Sequence, residues 1–227
     1  MLLMPHKKPF NHNQLNTIIF DWDGTLLDSI TPLTECFLEA SREFNLPEPN
    51  LNEVSQAFGQ RPDQVIKQFF YTQTQKDPDF IKEFSLSFRK NYSNKKPRLF
   101  SLCLETLTKL KNLSYQLCIA TNKTRAILDK ELYETGVLSL IHTSYTPSEA
   151  EAKPSPDMLN KIMNTCAVLP ENCLMIGDHQ NDILAAHEAG MHAVGIQANT
   201  QHRQQLSKLN PTGLLKKIED LPSWIES

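Results

Sequence analysis

The sequence lacks an excess of basic residues: 23 Lys and Arg stand against 26 Asp and Glu, which leaves a net charge of −3 at pH 7. Because the nucleic-acid backbone is bound by a concentrated positive field, nucleic acid is not expected as the main partner. No apolar run approaches the ~20 residues that a membrane-spanning helix needs. The apolar start, Met1–Met4, is too short for a signal peptide. We therefore expect a soluble, cytoplasmic protein without a membrane partner.

Cysteine is also scarce, and its placement excludes some classes of protein. The five cysteines are scattered, odd in number and without a Cys-x-x-Cys pair. A disulfide framework or zinc site is therefore not expected, and a reducing compartment is favoured. With 40% hydrophobic and 22% charged residues, the 227-residue chain has the composition of an ordinary globular protein. It is long enough for one domain with a smaller inserted one.

Strand and helix patterns alternate along most of the chain. Predicted strands cover Thr17–Asp21, Gln116–Ala120, Ile141–Tyr145, Cys173–Ile176 and His192–Ile196. Predicted helices between them cover Leu102–Leu113, Arg125–Tyr133, Pro156–Cys166 and Ile183–Ala189. This alternation predicts an α/β fold with a doubly wound, Rossmann-like parallel sheet. Near the C-terminus we expect a loop over 197–205, a packing helix over 214–218 and a tail over 221–225.

The first predicted strand is followed by a block without strands. Apolar residues recur at helical spacing over 29–44, and further helical patterns occur near 52–58, 63–74 and 79–92. We therefore expect an all-helical domain over 28–95, inserted into an α/β core made of 1–27 and 96–227. Its aromatic residues at helical spacing are assigned to the core of this domain or to a contact between two copies. Monomer and homodimer both remain open.

Two aspartates directly follow the first predicted strand, in Asp21-Trp22-Asp23-Gly24-Thr25. Gly24 ends the strand and permits a loop whose backbone amides can turn toward an anion. A carboxylate at the strand end, a second one two residues on and a glycine turn suggest a nucleophile, an acid/base group and an oxyanion cradle. The alternative is a simple acidic turn, which Asp and Gly favour anyway.

Three separate polar groups are predicted to meet at one edge of the sheet. In open parallel sheets ligands bind beyond the carboxyl ends of the strands. The residues at those ends are Asp21 and Asp23, Thr121 and Asn122, and Asp178. Since they come from distant parts of the chain, their agreement indicates a functional site.

Asp178 and Asp182 can face the same point, because one ends a strand and the other enters the next helix. With Asp21 they form an oxygen-rich, negatively charged site that suits Mg²⁺. Clustered carboxylates repel one another and need a cation. For Asp182 alone, helix capping is an equal alternative.

A donor and a cation complete the predicted site. Thr121 can offer a hydroxyl to a phosphoryl oxygen, although threonine is also common in ordinary loops. Lys153 stands on a stretch stiffened by Pro154 and Pro156. An ammonium there can neutralise both a nucleophile and a phosphate as a point charge. A lone lysine is usually only solvated, so this role depends on the neighbouring groups.

Four segments occur in the order of the four sequence motifs of the haloacid dehalogenase-like hydrolases: Asp21–Thr25, Thr121, Lys153 and Gly177–Asp182. The chain resembles this family over about residues 17–196, and the helical block matches the helical cap that the family inserts. Thr121-Asn122-Lys123 and Ala152-Lys153-Pro154 are similar to segments of phosphoglycolate phosphatases and related sugar phosphatases.

The resemblance implies a Mg²⁺-dependent phosphatase acting on a small phosphorylated metabolite, such as phosphoglycolate or a sugar phosphate. Asp21 would attack phosphorus to form an aspartyl-phosphate, and Asp23 would protonate the leaving alcohol and then activate water. The Asp21 carboxylate, the Asp23 carbonyl and Asp178 would hold Mg²⁺, with Asp182 as a ligand or a support. The phosphoryl oxygens would be held by Gly24, Thr121, Asn122 and Lys153. Dehalogenation is disfavoured, because dehalogenases of this family lack an acid at the position of Asp23.

The sequence departs from the family pattern at three places. Trp22 replaces a small or branched apolar residue and is expected to pack under the site. His179 replaces Ser or Thr; it either tunes the metal or points to solvent, and we expect the latter. Ser101-Leu102 replaces the Pro-Gly commonly found after the cap.

Substrate choice is assigned to the cap, where Gly59-Gln60-Arg61-Pro62 is the candidate substrate loop. Arg61 could grip a second anionic group, or the segment could be an ordinary turn between helices. Two other functions remain open on the same fold. One is a phosphomutase of the β-phosphoglucomutase type, and the other is a non-catalytic binding or regulatory protein.

Overall fold

The computed structural model describes residues 10–57, 62–196 and 200–227. The chain divides into two compact units, one made of Asp28–Pro97 and the other of Met1–Leu27 with Arg98–Ser227. The smaller unit ends after Pro97, whereas the sequence suggested residue 95. Its helices are α1 (Ile30–Glu43), α2 (Leu51–Ala57), α3 (Pro62–Lys76) and α4 (Phe80–Ser93). The larger unit has α5 (Cys103–Asn112), α6 (Arg125–Glu134), α7 (Asp157–Cys166), α8 (Gln180–Glu188), α9 (Thr200–Ser207) and α10 (Leu221–Ile225).

The larger unit is built on a six-stranded parallel sheet with the order β3-β2-β1-β4-β5-β6. The strands are β1 (Thr17–Phe20), β2 (Gln116–Ala120), β3 (Thr143–Tyr145), β4 (Cys173–Gly177), β5 (His192–Ile196) and β6 (Gly213–Leu215). The predicted doubly wound α/β fold is confirmed. Because β1 lies between β2 and β4, the residues that follow these three strands meet at one edge of the sheet.

Helices cover both faces of the sheet, as the side-chain alternation of β1 requires. Successive strand residues point to opposite faces. Ile18 and Phe20 belong to one hydrophobic cluster with residues of α5, α6 and α10, whereas Ile19 belongs to a second cluster with residues of α7, α8 and α9. All three side chains are fully buried. A strand buried on both faces explains the continuous apolar run in the sequence.

Four local predictions were wrong. The expected tail over 221–225 is helix α10, and its Leu221 and Ile225 are buried in the core. The expected helix over 214–218 is replaced by strand β6 and a 3-10 turn at Ile218–Asp220, because 213–215 pair with β5. The expected loop over 197–205 is wrong for residues 200–205, which belong to α9. The expected strand at 141–145 is limited to Thr143–Tyr145, where β2 offers partners.

The helical unit has an aromatic core of its own. Phe37 stacks on Phe70, with ring centroids 5.7 Å apart, and lies 5.1 Å from the fully buried Phe84. Phe80 packs against the ring of Phe84. Most of the aromatic residues at helical spacing therefore form core, whereas Tyr71 is exposed. Within the described residues, each helix is too short or too polar to span a membrane.

A strained backbone marks the start of α5. Leu102 has φ = +57°, the left-handed region that disfavours side chains with a Cβ, and its side chain is half exposed. This is the position where Ser101-Leu102 replaces the family's Pro-Gly. Glycine would relieve the strain there at the expense of some unfolded-state entropy.

We expect Leu102→Gly to stabilise the protein by about 0.5–1 kcal/mol, because glycine adopts this conformation without steric cost. Urea unfolding followed by circular dichroism measures the change. Leu102→Ala is the matched control: it removes the exposed side chain but keeps the Cβ, so its effect should stay within about 0.5 kcal/mol. Equal stabilisation by both variants would show that backbone strain is not the cause.

Candidate active site

A buried lysine connects the ends of three elements. Lys153 is 4% exposed, and its Nζ donates to Asp21 Oδ1 at 2.7 Å, to Asp182 Oδ1 at 2.6 Å and to the Ala120 carbonyl at 2.6 Å. The three hydrogens of the ammonium group thus have three acceptors. Burial lowers the pKa of Lys153, but the two carboxylates raise it by more, so the net shift is upward and the group stays charged.

The Lys153 backbone is held in place by Asn122. The Asn122 amide donates to the Lys153 carbonyl at 2.9 Å and accepts from the Lys153 N–H at 2.9 Å. Both polar ends of the Asn122 side chain are therefore used to position the lysine. The predicted contact of Asn122 with a phosphoryl oxygen stays a prediction.

Asp178 completes a cluster of three carboxylates with Asp21 and Asp182. One oxygen from each lies within 4.8 Å of the others. Asp178 Oδ1 accepts from the Thr25 hydroxyl at 3.2 Å. Burial raises the pKa of Asp178 well above its usual range, and the charges of Asp21 and Asp182 raise it further. Among the described residues the cluster sets three carboxylates against one ammonium, that of Lys153, so its oxygen donors and net negative charge fit a divalent cation such as Mg²⁺.

Gly24 provides space for this cluster. Its φ is +79°, and a Cβ at this position would lie 2.3 Å from Asp178 Oδ2. Its N–H donates to the Leu27 carbonyl at 2.9 Å. The Gly24 amide is therefore used inside the loop, and phosphate binding by Gly24 and the amides around it stays a prediction. A side chain would clash with Asp178, which is the physical reason for glycine here.

Asp182 both caps a helix and contacts the lysine. Its Oδ2 accepts from the His179 N–H at 3.0 Å, and His179 Nδ1 accepts from the Asn181 N–H, which together form a capping box at the start of α8. Its other oxygen binds Lys153. The capping alternative and the site role thus coexist, with both oxygens engaged. His179 is exposed, in agreement with the expectation that it points to solvent.

Asp23 faces a lysine that the sequence analysis did not select. Asp23 Oδ1 lies 2.9 Å from Lys123 Nζ, and the Asp23 side chain is 38% exposed. Burial raises the pKa of Asp23, as do the charges of Asp21 and Glu131. Lys123 acts in the opposite direction, but the net shift is upward. Thr121 is buried, and its hydroxyl accepts from the Lys123 N–H at 3.3 Å. A hydroxyl that accepts this bond still has its own proton to donate.

The structure thus brings together five of the predicted residues by direct contact or in one cluster: Asp21, Asn122, Lys153, Asp178 and Asp182. Thr25 and Lys123, which also contact site residues, were missed as functional candidates. Both were visible in the quoted motifs, but their partners are distant in sequence. Arg61, the predicted substrate residue, lies outside the described residues.

The sequence pattern of the family described as haloacid dehalogenase-like hydrolase matches residues 18–196. The chain belongs to this family. The resemblance inferred from the four motifs is therefore confirmed, and the chain is an enzyme of the hydrolase class.

Three relatives with similar sequences or structures illustrate the family. A phosphoglycolate phosphatase of Vibrio vulnificus is 28% identical over 216 residues, which cover 92% of this chain and 95% of the relative. A pyrophosphatase PpaX of Anoxybacillus flavithermus is 28% identical over 210 residues, covering 92% and 96%. The crystal structure of a predicted phosphoglycolate phosphatase from Haemophilus somnus 129pt superimposes with a TM-score of 0.72 at 28% identity, covering 93% of this chain and 98% of that chain.

The excess negative charge predicts that Asp178→Asn stabilises the metal-free protein. The substitution removes the charge of a buried carboxylate and keeps its shape, so we expect a gain of roughly 1–3 kcal/mol, the usual scale of the desolvation penalty of a buried polar group. Urea unfolding in chelator measures it. Asp129→Asn, on exposed α6 surface, is the matched control and should change stability by less than about 0.5 kcal/mol.

Mg²⁺ should offset most or all of the stability advantage of Asp178→Asn. At about 100 times its dissociation constant, the ion should stabilise the wild type by about 2.7 kcal/mol. Asp178→Asn should gain much less, because it has lost a charged ligand. Thermal melts with Mg²⁺ or chelator provide the comparison. Equal stabilisation of both proteins by Mg²⁺ would contradict the assignment of the cluster as the cation site.

The effect of Asp178 on metal-free stability should depend on pH. Its pKa is raised in the folded state, so the folded protein keeps a proton that the unfolded chain loses near its ordinary value of 3.8. The folded state then binds more protons, and stability falls as the pH rises through the unfolded pKa toward the folded one. The advantage of Asp178→Asn should therefore widen from about pH 4 upward. A pH-independent difference in urea unfolding would contradict this explanation.

Proposed function

We propose that this hydrolase is a Mg²⁺-dependent phosphatase that cleaves a small phosphate monoester through an aspartyl-phosphate on Asp21. The observation that carries the proposal is the buried ammonium of Lys153 between Asp21 and Asp182, beside Asp178. Phosphoryl transfer depends on positioning and charge neutralisation more than on other covalent machinery. A fixed carboxylate, a fixed cation and a cluster suited to Mg²⁺ supply these requirements at one edge of the sheet.

Asp21 is the proposed nucleophile. Its contact with Lys153 orients the carboxylate whose oxygen would attack phosphorus. A bond forms between an Asp21 oxygen and phosphorus as the bond from phosphorus to the leaving oxygen breaks. The positive charge of Lys153 and the Thr121 hydroxyl are the proposed partners of the phosphoryl oxygens. Lys153 contacts the last carbonyl of β2, and Thr121 directly follows that strand.

Asp23 is the proposed general acid and base. It gives its proton to the leaving oxygen as the phosphorus–oxygen bond breaks. It then takes a proton from the water that attacks the aspartyl-phosphate, which releases phosphate and restores Asp21. Its partly exposed side chain can reach an external molecule, and the upward shift of its pKa favours the protonated form needed in the first step.

The carboxylates of Asp21 and Asp178, with the Asp23 backbone carbonyl, are the proposed Mg²⁺ ligands. Asp182 supports them through Lys153, since both of its oxygens have protein partners. When bound, the ion neutralises negative charge on the phosphoryl group and on the acidic cluster. Because Gly24 has no side chain, it leaves room for the carboxyl group of Asp178.

The names of the relatives support a small anionic phosphate as the substrate. Phosphoglycolate and sugar phosphates are the proposed monoesters, and the relative named pyrophosphatase adds inorganic pyrophosphate as a second candidate. We propose a small phosphorylated metabolite as the partner of this site, without nucleic acid or membrane.

Asp21→Asn should abolish turnover, with a loss on the order of 10³-fold or more, because the amide is not a nucleophile. Phosphate release from para-nitrophenyl phosphate, phosphoglycolate, sugar phosphates and pyrophosphate, with Mg²⁺ or chelator, measures it. Asp129→Asn is the control for loss of one carboxylate and should retain wild-type rates. Wild-type turnover by Asp21→Asn would contradict the proposed intermediate.

The same panel separates the competing functions. Turnover that requires a sugar bisphosphate and returns the phosphoryl group to sugar would indicate a phosphomutase. A folded, Mg²⁺-binding protein that releases phosphate from no substrate would contradict the phosphatase proposal and favour a binding or regulatory protein.

A further inference from the structure

Lys123 is surrounded by carboxylate oxygens at the edge of the site. Its Nζ lies 2.9 Å from Glu131 Oε1, 2.7 Å from Glu131 Oε2 and 2.9 Å from Asp23 Oδ1. The side chains of Lys123 and Glu131 are 12% and 13% exposed. The ammonium group is therefore held between α6 and the loop that follows β1, with little freedom to move.

Glu131 is itself held by the residue next to Asp23. The Trp22 Nε1–H donates to Glu131 Oε2 at 2.7 Å, and the Trp22 side chain is fully buried. Because Trp22 and Asp23 are neighbours in sequence, the contacts Trp22–Glu131–Lys123–Asp23 close into a ring. The packed indole fixes Glu131, Glu131 fixes the ammonium, and the ammonium fixes the direction of the Asp23 carboxyl group.

We propose that Lys123, supported by Glu131 and Trp22, is a positioning residue that aims the Asp23 carboxyl group at the leaving oxygen of the substrate. This inference rests on the proposed phosphatase function. In the step concerned, the electron pair of the breaking phosphorus–oxygen bond stays on the leaving oxygen, and the Asp23 proton passes to that oxygen. Proton transfer is efficient only when donor and acceptor are in hydrogen-bonding geometry.

The geometry distinguishes Lys123 from an ordinary structural ion pair. Arg125, the first residue of α6, also binds carboxylates, but its partners are Asp129 and Glu149 on the outer surface, with Ser144. Lys123 instead contacts the partly exposed carboxylate of Asp23, which belongs to the site. A side chain with that exposure would otherwise sample several rotamers, and small misplacements of a catalytic group carry large rate penalties.

Two phosphate esters whose leaving groups differ in their need for a proton test the proposed role of Lys123. Para-nitrophenolate is a stable anion that departs without a proton, whereas an alkoxide needs one. In Lys123→Met, kcat/KM reports formation of the aspartyl-phosphate and not the later attack of water, which both esters share. It should fall about 10–100-fold for an alkyl phosphate such as phosphoglycolate and less than about 3-fold for para-nitrophenyl phosphate. Lys123→Arg keeps the charge and should recover part of the alkyl-phosphate rate.

Two further variants distinguish the positioning of Asp23 from a purely structural effect. Arg125→Met removes a cation two residues further along the chain without touching Asp23, so any loss should be equal for both esters. Glu131→Gln keeps an acceptor for the Trp22 indole but weakens the hold on Lys123. It should also lose more activity on the alkyl phosphate than on para-nitrophenyl phosphate, with a smaller difference than in Lys123→Met. If circular dichroism and thermal melts show that Lys123→Met does not fold, Glu131→Gln is used for the test instead.

Three results would overturn the inference. They are equal losses on both esters, wild-type rates on both, or faster alkyl-phosphate turnover in Lys123→Met, which would mean that Lys123 withholds Asp23. Failure of the proposed function is distinguishable, because the wild-type protein would then hydrolyse neither ester, and the inference would fall with it.

Discussion

The site depends on one buried ammonium group. Lys153 joins the loop after β1, the last carbonyl of β2 and the first turn of α8 through three short hydrogen bonds. Charge-assisted bonds are strong where water is excluded. Loss of the ammonium would leave Asp21 and Asp182 as buried carboxylates without their partner, which is among the costly defects in a protein interior.

The acidic cluster shows that the site is not organised for stability alone. Lys153 balances two carboxylates, and Asp178 adds a third charge that burial disfavours. Glycine makes this crowding possible: a Cβ at Gly24 would meet Asp178, and one at Gly177 would lie 2.3 Å from the Asp182 carboxyl group. Local violations of good packing and charge balance are typical of functional sites.

Much of the fold could be predicted because its signals are local. The buried run of β1 and the polar residues at strand ends are readable from neighbouring positions. Leu214 was misassigned to a helix, since a short apolar pair fits either period and only pairing with β5 made it a strand. The motifs selected Asn122 and Gly24, but the hydrogen bonds that these residues make to Lys153 and Leu27 could not be predicted from the sequence.

The sequence by itself determined the α/β class, the family and the set of residues that gather at the carboxyl edge of the sheet. Only the tertiary structure decided which atoms pair there. Lys153 meets Asp21 across 132 positions, and Trp22 meets Glu131 across 109. Helical and strand periodicity relates residues a few positions apart, whereas partners at such separations depend on how strands and helices pack.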